Sequence, residues 1–153
     1  MVPRVTVHVE VLAEVTDEVV EAFGHLLPQL SRSAPPADRA VLTQIVDSDA
    51  TTLLIARSGD RIAGTLSLVM FPIPTGRRAW IEDVIVDEAA RGQGIGELLT
   101  KEALRIAEAA GVRTVDLTSR PSREAAGRLY ERVGFQSRST RLYRYAFGDT
   151  HSS

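Results

Sequence analysis

Arg91-Gly92-Gln93-Gly94-Ile95-Gly96 stands between an apolar strand-like run and an amphipathic helical stretch. Glycine lets a backbone turn sharply and come close to a ligand. A helix that begins in such a turn aims unpaired N–H groups and the positive end of its dipole at whatever sits there. That combination suits a phosphate. A dinucleotide site needs Gly-x-Gly-x-x-Gly near the start of a strand-helix-strand unit. Here the glycines fall at 92, 94 and 96, Glu97 takes the place of the last one, and the motif lies past mid-chain. A mononucleotide loop is excluded, because no Gly-Lys-Ser/Thr follows. A glycine-rich turn without a ligand remains an alternative at this level.

The strand before the loop carries two acids, Glu82 and Asp83. Strand alternation puts Trp80, Glu82, Val84 and Val86 on one face and Ile81, Asp83 and Ile85 on the other, so only one of the two acids can face a given cleft. After the loop comes Tyr130, in the run Leu129-Tyr130-Glu131-Arg132-Val133-Gly134-Phe135.

Other chemistries are excluded by composition. The chain has 153 residues and no cysteine, so disulfides, thiolate nucleophiles and cysteine-held metals are ruled out. His8, His25 and His151 are scattered without ligand spacing, and no metal is expected. The formal net charge of −2 gives no global field for nucleic acid. No apolar run approaches the ~20 residues of a membrane span, and the first residues lack a signal-peptide pattern. A cytoplasmic protein without nucleic-acid or membrane partners is expected.

The elements that must position these residues are legible in part. Val5, Val7, Val9 and Val11 alternate with polar residues as a strand. Thr16 caps a predicted helix carrying Val19, Val20, Phe23, Leu26 and Leu27 and interrupted near Pro28. Ser31 to Pro36 reads as a loop, and a second helix is predicted over 38–46. Strands at 51–57 and 62–71 form a hairpin about Ser58-Gly59-Asp60-Arg61. Pro72 to Gly76 reads as a stiff loop, followed by a strand over 79–86. A helix over 94–110 places Ile95, Leu98, Leu99, Ala103, Ile106 and Ala107 on one stripe. A strand over 112–117 follows, then a helix opening at Pro121-Ser122 with Ala126, Leu129, Tyr130 and Val133 on one face. Phe135 and Leu142 to Phe147 suggest two final strands. This is one α/β domain with a mixed, mostly antiparallel sheet flanked by helices on both faces. It spans residues 1–148, and 149–153 form a short polar tail.

Ile81-Glu82-Asp83-Val84-Ile85-Val86-Asp87 followed by Arg91-x-x-Gly94-x-Gly96 resembles the central motif of the GNAT superfamily of acetyl-CoA-dependent N-acyltransferases. Ala126 to Phe135, with its Leu-Tyr and Gly-Phe pairs, resembles the family's later helix, and the element order matches along nearly the whole chain. The resemblance implies an N-acetyltransferase domain using acetyl-CoA as co-substrate. The N–H groups of Gly92, Gln93, Gly94, Ile95 and Gly96 would hold the pyrophosphate, with Arg91 adding charge. The backbone of Val84, Ile85 and Val86 would pair with the pantetheine arm. Glu82 would serve as base or amine-binding group. Tyr130 would be the general acid, since a phenol with pKa near ~10 stays protonated at neutral pH. Many members carry Asn where this chain has Arg123, which is either turned to a CoA phosphate or simply solvated. The acceptor is a small-molecule or peptide amine bordered by residues 17–48 and 136–141, with Pro72–Arg78, Phe71 and Trp80 as a further wall. Family members are commonly homodimers. A non-catalytic acyl-CoA sensor of the same fold is the alternative.

Overall fold

The computed structural model describes residues 6–120 and 123–148. The expected Val5, Pro121, Ser122 and the tail with His151 lie outside them. In chain order the elements are β1 (Val7–Val11), α1 (Asp17–Leu30), α2 (Arg39–Asp47), β2 (Thr51–Ser58), β3 (Arg61–Ile73), β4 (Gly76–Val86), α3 (Ile95–Ala109), β5 (Thr114–Asp116) and α4 (Glu124–Val133). A single 3-10 turn, Glu88–Ala90, joins β4 to the glycine loop. The sheet order is β1-β2-β3-β4-β5, antiparallel except for the parallel β4–β5 pair. This is the expected mixed, mostly antiparallel architecture.

Each face of the sheet carries its own core. Leu54, Leu66, Leu68 and Ile81 pack with Ile95, Leu99 and Ala103 of α3. Leu53, Ile55, Ile62 and Ile85 pack with Val19, Phe23 and Leu26 of α1 and Leu42 of α2. Leu54, Leu66 and Leu99 are fully buried, and each such side chain contributes about 1.5–3 kcal/mol. Caps set the helix starts: Thr16 Oγ1 accepts from Val19 N–H at 3.3 Å, and Asp38 Oδ1 accepts from Val41 N–H at 2.9 Å.

Several local expectations change. Helix α1 runs two residues beyond Pro28 instead of breaking there. Pro28 and Gly24, the residue four before it, both lie on the exposed face, where water can satisfy the carbonyl left without a partner. The loop expected at 72–76 shrinks to a two-residue turn, because pairing runs on through Pro72↔Arg77 and Ile73↔Gly76. Leu98 falls off the buried stripe of α3 and is 41% exposed. The two final strands do not form: among the described residues, none from 135 to 147 belongs to a strand. Alternation supplies the propensity there, but a strand also needs a neighbour to pair with. Phe135 instead packs on the α3-side core and against Tyr130.

Candidate active site

The site is made by a strand that loses its neighbour. β4 and β5 pair only over Arg78↔Thr114, Ala79↔Val115 and Trp80↔Asp116. Beyond Trp80 the two part, and an open cavity of about 960 Å³ lies in the split. Ile81, Glu82, Asp83 and Val84 of β4 face it, as do Leu117–Arg120 after β5 and Arg123, Ala126 and Tyr130 of α4. Leu30 at the end of α1 and Ser31–Ser33 after it, with Leu142 and Arg144 from the C-terminal segment, complete its wall. On its other edge β4 stays paired with β3, as at Gly64↔Val86 and Thr65↔Ile85. The β5-facing edge past Trp80 therefore offers its backbone to an extended ligand arm.

A bulge decides which way the acids point. Between the pairs Ser67↔Glu82 and Thr65↔Ile85, β3 has one intervening residue and β4 has two. Asp83 absorbs the extra residue at φ +49°, a left-handed conformation that Asp tolerates better than most side chains. The bulge reverses the alternation. Ile81 joins the α3-side core together with Val84 and Val86, while Ile85 joins the α1–α2 core. The expected grouping of Ile81 with Asp83 and Ile85 is thus overturned, and so is the rule that only one acid faces the cleft. Glu82 and Asp83 both line the cavity. Burial raises the Glu82 pKa above the usual carboxylate range, Asp83 raises it further, and Arg144 opposes both.

Tyr130 stands across the cavity on half-buried ground. Its ring meets Phe135 edge-on at 5.8 Å and 71°. Burial raises its pKa, with Arg123 opposing, so the phenol holds its proton at neutral pH. The Tyr130 carbonyl accepts from the N–H groups of Gly134 (3.1 Å) and Phe135 (2.9 Å), which ends α4 beneath the ring.

The glycine loop lies beside the cavity, not in its lining. Gly94 caps α3 at φ +75°, and Gly92 lies at φ +87°, conformations that a side chain would strain. Gly96 is constrained differently: a Cβ there would stand 3.2 Å from Leu129 Cδ1 and 3.7 Å from Val86 Cγ2. It lets α4 lie close on α3, and Glu97 ties the same seam to Arg132 at 3.0 Å. The side chain of Ile95 is buried in the core, so only its backbone faces the loop. Gln93 accepts from Ser58 Oγ at 2.9 Å, and Arg91 is exposed. Gly92 and Gly94 thus leave a turn without side chains at the α3 N-terminus, where unpaired backbone N–H groups can meet an anion.

The wall expected from Phe71 to Trp80 is not part of the cavity, since that end of β4 is closed by β5. Sequence reasoning missed Arg32 and Arg144, which separate segments bring to the cavity, and the buried Asp87, whose partners Gln29 and His25 come from α1 with no local signal. Among the described residues no group of three or more His, Cys, Asp or Glu side chains could hold a metal, and no helix is long and apolar enough to cross a membrane.

A split sheet with a helix-capping glycine loop beside it defines an acetyltransferase fold. Residues 13–135 match the Acetyltransferase (GNAT) family, and the chain belongs to it. It is 32% identical over 131 residues to glucosamine 6-phosphate N-acetyltransferase of Trypanosoma brucei brucei, covering 80% of this chain and 84% of that one. It is 37% identical over 76 residues to N-alpha-acetyltransferase 30 of Schizosaccharomyces pombe, half of each chain. Among solved structures, a transcriptional regulator from Bacillus halodurans C-125 aligns with TM-score 0.76 and 29% identity, over 91% of this chain and 100% of that one.

Proposed function

We propose that this chain transfers an acetyl group from acetyl-CoA directly to a primary amine that also carries an anionic group. The observation behind this reading is that Glu82 and Tyr130, 48 positions apart in sequence, line one cavity at the split between β4 and β5. Acetyl-CoA supplies the activated thioester. Gly92–Gly96 and Arg91 hold its pyrophosphate, Arg123, exposed near Tyr130, adds charge toward a CoA phosphate, and the free edge of Val84–Val86 aligns its extended arm.

Glu82 takes a proton from the acceptor ammonium and exposes the lone pair that attacks the acetyl carbonyl. As the C–N bond forms and the C–S bond breaks, Tyr130 gives its proton to the departing sulfur, and the second proton shed by the amine nitrogen passes through solvent to restore the phenol. The raised pKa of Glu82 makes it a better base than an ordinary carboxylate, and that of Tyr130 keeps its proton available.

Glu82 and Asp83 suit the ammonium, while Arg32, exposed in the wall of the same cavity, suits a phosphate or carboxylate on the same molecule. The Trypanosoma relative, named for a phosphorylated amino sugar, supports that charge pattern. A reaction that draws on acetyl-CoA supports a cytoplasmic reading.

Thiol release from acetyl-CoA tests the reading across glucosamine 6-phosphate, glucosamine, amino acids and peptides. Turnover with the phosphorylated amine well above that with its neutral parent is expected. CoA binding without thiol release on any amine would favour a non-catalytic sensor.

A further inference from the structure

The reaction proposed above leaves one buried acid unused. Asp87 follows β4, is 3% exposed, and stands four residues before Arg91. Its Oδ1 accepts from Ala89 N–H at 3.2 Å and from Gln29 Nε2 at 3.3 Å. Its Oδ2 lies 3.3 Å from His25 Nε2 and 3.7 Å from the Arg61 guanidinium. Its own N–H donates to the Ala63 carbonyl at 2.8 Å. Gln29 is used twice, because its Oε1 also accepts from Glu88 N–H at 3.0 Å.

Capping a three-residue turn requires only the Ala89 contact. The contacts with Gln29 and His25 come from α1, some 60 positions away, and fix the place where the chain leaves β4 for the glycine loop. Burial pushes the Asp87 pKa up, but the hydrogen bonds from Ala89 and Gln29 and the nearby His25 outweigh it and leave it lowered. The carboxylate is therefore held charged and fully engaged.

We propose that Gln29 and Asp87 are positioning residues that set the glycine loop in its anion-binding shape before CoA arrives. A loop already in its bound shape gives up less conformational freedom on binding. Gln29 is the second-last residue of α1, and the next four residues line the acceptor cavity. One side chain thus ties the acceptor wall to the cofactor grip. This proposal rests on the acetyl-CoA reading above.

Calorimetric titration of CoA into the full chain tests it, with thermal melting alongside. Gln29→Ala and Asp87→Ala should each raise the CoA Kd about tenfold, as expected for a lost hydrogen bond to a charged group. Asp87→Asn keeps an Oδ1 acceptor and should raise it less than about threefold. Glu102→Ala, on the Arg105 ion pair of α3, should leave it unchanged. A folded Gln29→Ala chain that binds CoA as wild type does, even with a lower melting temperature, overturns the proposal. Should Asp87→Ala fail to fold, Gln29→Ala still decides. A wild-type chain that does not bind CoA overturns the acetyl-CoA reading, and this proposal with it.

Discussion

Tyr130→Phe removes one oxygen and keeps the ring. The ring is held by its edge-on contact with Phe135 at 5.8 Å, and α4 is held by the Glu97–Arg132 pair and by Leu129 against Gly96. None of these uses the hydroxyl, so the fold should lose less than about 1 kcal/mol. The leaving sulfur then departs without a proton donor. General-acid assistance is worth about 10²–10⁴-fold, which corresponds to a barrier higher by about 3–5 kcal/mol. Steady-state thiol release on the preferred amine should show that loss in kcat, with the CoA Kd unchanged. The alkaline fall in kcat, set in the wild type by the raised Tyr130 pKa, should vanish from the residual activity. A kcat within twofold of wild type would refute the assignment of Tyr130 as the acid.

Glu82 must be deprotonated to act as base, so kcat/KM should rise with pH through its raised pKa. Asp83→Asn removes a repulsion that favours the protonated form and should move that acid limb to lower pH, whereas Arg144→Ala should move it higher. Limbs that shift the other way would exclude Glu82. Gly96→Ala should lower the melting temperature and weaken CoA binding, because its Cβ would press on Leu129 Cδ1 at 3.2 Å. Leu129→Ala in the same chain should recover part of both losses. Leu142, Tyr143, Tyr145 and Phe147 are 61%, 85%, 84% and 82% exposed, and a homodimer built on this segment would bury them. Light scattering should then give a dimer that Tyr143→Ser with Tyr145→Ser converts to a monomer, and a monomeric wild type would discard this idea.

The sequence by itself determined the elements and one half of the site. Periodicity places α1, α2, α3 and most strands, because amphipathic spacing is local and each element must bury one face. The glycine loop is equally local, since positive φ at Gly92 and Gly94 is a backbone demand written into residue type. Tertiary structure decided the rest. Strict alternation separates Glu82 from Asp83, but the bulge against Ser67 and Thr65 turns both toward one cavity. Whether β4 carries an extra residue depends on the register of its partner strand, which no local pattern records. Strand propensity at 142–147 went unused because pairing requires a neighbouring backbone. The Gln29–Asp87 bond spans 58 positions and forms only because α1 packs across β4. The cavity itself exists because β5 stops after three paired residues, and that split brings Glu82 and Tyr130 to one cavity beside the glycine loop.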